Sequence, residues 1–187
     1  MSRPGLTFSH IGLYVSDLQR MEDFYTRVLE FTVTDRGQLP GADGKPVDLV
    51  FTSRNPDEHH QIVLVAGRPA ELSFNIINQL SFQADSLATL RTMHRRMIAE
   101  GARNVIPINH GNAVSVYGLD PEGTRLEFYI HTPWYVSQPL RVPLDLSLDD
   151  DALMRHVEAY ARTLPGFKPR AQWRAEIAER MGVADPA

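Results

Sequence analysis

A segment of the chain repeats after 69 residues, and this repeat limits the fold more than any other feature. The first copy, FSHIGLYVSDLQRMEDFYTRVLEF, begins at Phe8, and the second, INQLSFQADSLATLRTMHRRMIAEG, begins at Ile77. The offset sets His10 against Gln79, Leu13 against Phe82, Leu18 against Leu87, Met21 against Leu90 and Val28 against Met97. Both copies open with strict alternation and then change to helical spacing. Leu18, Met21, Tyr25, Val28 and Leu29 form one helix stripe, with Ser16 or Asp17 as N-cap. Leu87, Leu90, His94, Met97 and Ile98 form the other.

Strand-like sequence follows each helix. After the first come Phe31–Thr34, Val47–Ser53 and Gln61–Val65, with a surface loop over Gly37–Lys45. After the second come Val105–Ile108, Ala113–Gly118 and Thr124–Ile130, the last two joined by the turn sequence Asp120-Pro121-Glu122-Gly123. Each module therefore reads β-α-β-β-β. The class is α+β: two paired βαβββ modules forming a curved mixed sheet around a central cavity, plus a C-terminal helical extension. Residues 1–137 make the repeated domain, with module one over 6–70 and module two over 76–137, and residues 138–187 make the tail. In the tail, Leu153, Val157, Tyr160 and Leu164 line one helix that ends before Pro165-Gly166, and a second helix covers Gln172–Met181. The tail has no counterpart in the repeat, so it packs on the domain or on a second subunit.

Composition removes several functions. There are no cysteines, which excludes disulfides, thiolate zinc sites, Fe–S clusters and cysteine nucleophiles. A net charge of -4 argues against nucleic acid as a partner. No apolar run approaches the ~18 residues of a membrane span, and the first ten residues have no apolar core of a secretory signal. These features fit a cytoplasmic protein. No phosphate-binding glycine loop, serine elbow or HExxH sequence is present.

Alternation sorts the strand residues by face. Ile11, Leu13 and Val15 point toward the first helix, leaving His10, Gly12 and Tyr14 opposite. Gln79, Ser81 and Gln83 are opposite the second helix. In the last strand Leu126, Phe128 and Ile130 alternate with Arg125, Glu127, Tyr129 and His131. Matching Gln61 to Glu127 requires an offset of 66, so a small gap is implied. His10, Gln61, Gln79 and Glu127 then share the side away from the helices, and curving the modules together would draw them toward one centre. An imidazole, a carboxylate and neutral amide oxygens suit a divalent ion of intermediate hardness: Fe(II), Mn(II), Ni(II), Co(II) or Zn(II). The plainer reading is a solvent-facing histidine and ordinary sheet amides; it is weakest for Glu127, a carboxylate among apolar neighbours that needs water or a partner.

HIGLYVSDLQRMEDFYTRVLEF, INQLSFQADSLATL and, above all, HGNAVSVYGLDPEGTRLEFY resemble the vicinal oxygen chelate superfamily, which includes glyoxalase I, bleomycin-resistance proteins and type I extradiol dioxygenases. The resemblance covers roughly residues 6–137. It implies one divalent metal, Fe(II) first among the candidates, at the positions matched by His10, Gln79 and Glu127, with Gln61 at a fourth position used in glyoxalases. It implies that Tyr117, ten residues before Glu127, hydrogen-bonds substrate, and that His110 acts beside it. His59, Gln61, Asn112 and Tyr129 fall on the substrate side. Extradiol enzymes have histidine where this chain has Gln79; His59 or His60 could supply that imidazole if the strand register differs by one or two residues. The implied partner is a small molecule, with a homodimer allowed. Three activities follow: catechol-cleaving oxygen chemistry, glyoxalase-like isomerisation, or metal-free binding of a small ligand.

Overall fold

The computed structural model describes residues 5–72 and 74–183. The chain divides into two compact units, each containing one copy of the repeat. Among the described residues, the first holds 5–72 and 74–79 together with Leu119–Arg125, and the second holds Leu80–Gly118 and 126–183.

In the first unit, β1 (Ile11–Val15) leads into α1 (Leu18–Asp23), which continues as a π-helical turn over Phe24–Val28. Asp17 is the cap; its carboxylate accepts from the Arg20 amide at 3.0 Å. Strands β2 (Thr32–Pro40), β3 (Pro46–Ser53) and β4 (Ile62–Ala66) follow, in the sheet order β1-β4-β3-β2. β1 and β4 run parallel and the other pairs antiparallel. Leu13 and Val15 from β1, Leu64 from β4 and Met21, Tyr25, Val28 and Leu29 from the helix are all buried, as their spacing predicts. The wider π turn adds Phe24 to that stripe.

The loop expected over Gly37–Lys45 is shorter. β2 pairs with β3 as far as Pro40 against Pro46, with one register shift between Val33 and Asp35. Hydrophobic alternation gave no warning, because residues 34–40 are exposed and the backbone ladder alone carries the strand.

The second unit repeats the order. β5 (Leu80–Gln83), α2 (Leu87–Ala99), β6 (Ile106–Asn109), β7 (Ala113–Leu119) and β8 (Arg125–His131) give β6-β7-β8-β5, with β5 and β8 parallel. Ser86 caps α2 through the Thr89 amide at 3.1 Å. The buried stripe of α2 is Leu90, Met93 and Met97; Ile98, expected inside, is 56% exposed. Positions 90, 93 and 97 keep the i, i+3, i+7 rhythm, and Ile98 lies a further helical step round from Met97.

The proline-rich stretch after β8 also has structure. β9 (Trp134–Tyr135) pairs with β11 (Lys168–Pro169), and β10 (Val142–Pro143) adds a strand to the β6 edge. Asp149 caps α3 (Asp150–Ala161) and accepts from the Ala152 amide at 2.7 Å, so the Asp149–Asp151 run belongs to a helix N-terminus. Leu153, Val157 and Ala161 are its buried face. Leu164 lies beyond the end of α3, and α4 (Arg170–Met181) starts two residues before the expected Gln172. Tyr135 stacks on Trp173 at 5.1 Å, so this aromatic anchors α4.

The turn Asp120–Gly123 does more than reverse the chain. Within the first unit, Glu122 Oε1 accepts from the Ser16 and Asp17 amides at 2.7 and 2.9 Å, at the start of α1. Arg68 Nη1 lies 3.4 Å from Glu122 Oε2, with only 15% and 7% of the two side chains exposed. Tyr25 Oη donates to Asp120 at 3.3 Å. Burial pushes the Asp120 carboxyl above its ordinary value, against the hydrogen bonds it accepts, and pushes the Tyr25 phenol well above its own.

Candidate functional site

In the second unit the site grows from Glu127, in the middle of β8 and 9% exposed. A carboxylate buried to that degree needs partners. Ser81 Oγ donates to Oε2 at 2.6 Å, while Ser115 Oγ and Tyr117 Oη donate to Oε1 at 2.9 and 2.7 Å. Ser81 arrives because β5 sets it directly beside Glu127 in register. Ser115 and Tyr117 arrive because they are two apart on β7 and so share a face.

His110 follows β6. Its Nδ1 lies 2.5 Å from the Leu140 carbonyl oxygen, which can only accept, so Nδ1 carries hydrogen. Nε2 then faces Tyr117 Oη at 2.9 Å and Glu127 Oε1 at 3.6 Å. A hydrogen-bonded chain runs from the Leu140 carbonyl through imidazole and phenol to carboxylate. With a neutral imidazole, the one phenolic hydrogen serves two acceptors. A proton added at Nε2 lets His110 donate to Tyr117 and Tyr117 donate to Glu127, completing every bond. The arrangement can take up a proton from a bound molecule without losing its geometry.

The loop around His110 is rigidly specified. Gly111 has φ +73°, and a Cβ there would stand 2.3 Å from Val136 Cγ2. Asn112 is part of this scaffold: its amide donates to the His110 carbonyl at 2.8 Å, and its Oδ1 accepts from Gln138 Nε2 at 3.2 Å. Gln138 Nε2 also donates to the His110 carbonyl at 2.8 Å. Tyr129 lies two residues beyond Glu127 on β8, with its ring edge-on to His131 at 5.2 Å. Over the Tyr117 ring sits the Arg141 guanidinium, 5.1 Å from the centroid.

The first unit holds a different group. His10, exposed and directly before β1, has Nδ1 2.7 Å from Ser9 Oγ and its ring 4.3 Å from that of His60. His59 and His60 meet through their Nδ1 atoms at 2.9 Å, and Phe51 packs at 5.5 and 5.3 Å from the two rings. Desolvation, then the neighbouring His10 and His59, lowers the His60 pKa from its ordinary value. Gln61 Oε1 accepts from the Arg54 amide at 2.9 Å, so its amide oxygen helps close the loop before β4. Gln79 is exposed and directly precedes β5.

The match of Gln61 to Glu127 is corrected by two residues. Ile11 pairs with Ile62 in one unit and Leu80 with Leu126 in the other, so Val63 occupies the position of Glu127 and Gln61 that of Arg125. Alternation identifies the face of a strand but not its register. Among the described residues, no group of three or more His, Cys, Asp or Glu side chains is arranged to hold a metal ion. The set read from sequence has one imidazole, one carboxylate and the amide of Gln79. Sequence reading missed Ser81 and Ser115 as partners of Glu127, although their alternation carried the signal. It also missed Arg141, for which no periodic signal exists.

The profile of the Glyoxalase/Bleomycin resistance protein/Dioxygenase superfamily matches residues 7–128. Biphenyl-2,3-diol 1,2-dioxygenase 2 of Rhodococcus globerulus is 26% identical over 164 residues, covering 78% of this chain and 80% of that protein. A glyoxylase/bleomycin resistance protein/dioxygenase domain from Frankia sp. EAN1pec superposes with a TM-score of 0.57 at 23% identity, over 70% of this chain and 100% of that one. A mutant of the fosfomycin resistance protein FosX from Listeria monocytogenes, complexed with Mn(II) and a dihydroxypropylphosphonic acid, gives 0.51 at 20% identity, over 70% and 95%. The two structural likenesses are likenesses of fold.

Proposed function

The chain belongs to the Glyoxalase/Bleomycin resistance protein/Dioxygenase superfamily, and from that premise we propose that it is a divalent-metal-dependent dioxygenase that opens a catechol-type ring. The observation that carries the reading is the chain of contacts from His110 Nε2 to Tyr117 Oη at 2.9 Å and on to Glu127 Oε1 at 2.7 Å. The 26% identity with a dioxygenase acting on a biphenyl diol supports it.

The donor chemistry fits a divalent ion. Glu127 offers a buried carboxylate, and His10 has Nε2 outside the bond that holds Nδ1. The amide of Gln79 offers a neutral oxygen, and carboxylate, imidazole and amide oxygen are each donors for ions from Mn(II) to Zn(II), with Fe(II) favoured for oxygen chemistry. When bound, such an ion supplies Lewis acidity and a platform for dioxygen. In the reaction one carbon–carbon bond of the ring breaks and both oxygen atoms enter the product, so no external reductant is consumed.

The chain's own groups handle protons and position. Ser81, Ser115 and Tyr117 fix the Glu127 carboxylate by three hydroxyl hydrogen bonds. The Leu140 carbonyl fixes the His110 ring, so that Nε2 is turned toward the phenol and can receive the proton released by a catechol hydroxyl. The one hydrogen of the Tyr117 phenol goes to Glu127 Oε1 in this structure, and on substrate binding it would turn to charge developing on substrate oxygen. In the second unit, Asn112 and Tyr129 are proposed as the surroundings of the substrate.

The test is elemental analysis of protein purified without chelator, read as moles of each divalent metal per chain. Near one equivalent, lost in Glu127→Ala, supports the reading. His10→Ala and Gln79→Ala, measured alongside, report whether those residues serve the same ion. Gln79 also favours a second reading, a metal-free binding module, because a neutral amide is a weak ligand. Protein that is isolated free of metal and takes up none would favour that alternative.

A further inference from the structure

We propose that Arg141 is a specificity residue that selects substrates carrying a carboxylate on the ring; this rests on the catechol reading above. Arg141 precedes β10, whose Val142 pairs with Asn109 at the edge of the sheet. Its neighbour Leu140 supplies the carbonyl that holds His110. One short segment therefore brings a guanidinium to the phenol and an acceptor to the imidazole.

The placement of the charge is informative. Several arginines of this chain are matched to an acid, as Arg68 is to Glu122, Arg91 to Asp150 and Arg162 to Glu158. Among the described residues Arg141 has no hydrogen bond and no acidic partner; its guanidinium lies over the face of the Tyr117 ring, 5.1 Å from guanidinium carbon to centroid. Stacking on a ring face uses the flat side of the guanidinium and leaves its N–H donors around the rim. The side chain is exposed, so those donors are open to a bound molecule. Paired N–H donors in one plane match the two oxygens of a carboxylate. Tyr117 is the phenol proposed to act on substrate, so an anion held over it would sit on the same molecule. A planar aromatic diol with a carboxylate substituent meets both groups.

The experiment measures binding of protocatechuate, which carries one ring carboxylate, and of 4-methylcatechol, which carries none. Both are titrated anaerobically by calorimetry into the Fe(II)-loaded full chain, as wild type, Arg141→Gln and Arg141→Lys. The wild type should prefer protocatechuate by about tenfold or more, the scale of one charge-assisted pair. Arg141→Gln should bring that ratio toward unity, while Arg141→Lys retains part of it. A merely structural arginine would weaken both ligands equally and leave the ratio unchanged; that result, no preference in the wild type, or no binding of either ligand would overturn the proposal. Oxygen uptake on the same samples separates the two readings. A preference lost in Arg141→Gln without oxygen uptake upholds Arg141 and ends the dioxygenase reading. Oxygen uptake without a preference does the reverse.

Discussion

Tyr117 and Glu127, ten residues apart on neighbouring strands, meet through a hydrogen bond of 2.7 Å inside the second sheet. The phenol is 8% exposed and the carboxylate 9%, so the bond is shielded from water. His110 joins from the other side of the phenol at 2.9 Å. These three groups form one hydrogen-bonded unit.

Tyr117→Phe keeps the ring under Arg141 and removes only the hydroxyl. Loss of one preorganised donor lowers kcat by roughly 100-fold, with stability reduced by about 1–2 kcal/mol. Steady-state kinetics and urea denaturation of the same sample measure the two effects. A variant with wild-type kcat would remove the phenol from the chemistry.

Gly111 holds His110 in place by adopting φ +73° against Val136. Gly111→Ala puts a methyl into occupied space and a side chain in a disfavoured backbone region, at a cost of about 2 kcal/mol or more. The expected outcome is a lower urea midpoint together with a loss of activity larger than the folded fraction explains.

Glu122 satisfies two amides at the start of α1 and pairs with Arg68. Glu122→Ala leaves a largely buried guanidinium and two amides without their acceptor, which destabilises by about 3 kcal/mol. The denaturant slope should not change while the midpoint falls.

Asp120 sets a pH dependence with a definite sign. Burial raises its pKa in the folded state, so the folded chain holds this proton more tightly than the unfolded one. Its favourable contribution is complete below the unfolded carboxylate pKa and is lost as pH rises through the folded value. Asp120→Asn cannot titrate, so the stability of wild type relative to it should rise as pH falls from neutrality into the carboxylate range. Denaturation midpoints of the two proteins across that range give the comparison, and parallel curves would contradict it. Tyr25, also raised, behaves the same way at the alkaline end: it stays protonated in the fold and loses stability only as pH rises above the ordinary phenol value.

Much of the fold was legible because it is written twice. The offset from His10 to Gln79 fixed the element order, and alternation told buried Leu13 and Val15 from exposed Gly12 and Tyr14, whereas Leu126, Glu127 and Phe128 are all buried. Register was not legible: a shift of two residues preserves every face, so Gln61 and Val63 cannot be told apart by pattern alone. Nor was the length of β2, whose exposed residues carry no hydrophobic signal. In the site, Tyr117, Glu127 and His110 were readable from the HGNAVSVYGLDPEGTRLEFY sequence, and the structure brings these three together. Arg141 and the Leu140 carbonyl were not, because they come from the segment between Pro139 and β10, a two-residue strand that pairs with β6. Backbone acceptors leave no trace in residue type.

The most direct measurement is oxygen consumption. Protein reconstituted anaerobically with Fe(II) to a known occupancy is mixed with a panel of neutral and carboxylated catechols in an oxygen electrode cell. One molecule of oxygen should be consumed per molecule of catechol, with a ring-opened product and loss of the reaction on chelation or in Glu127→Ala. Fully iron-loaded protein that consumes no oxygen with any of them would contradict it.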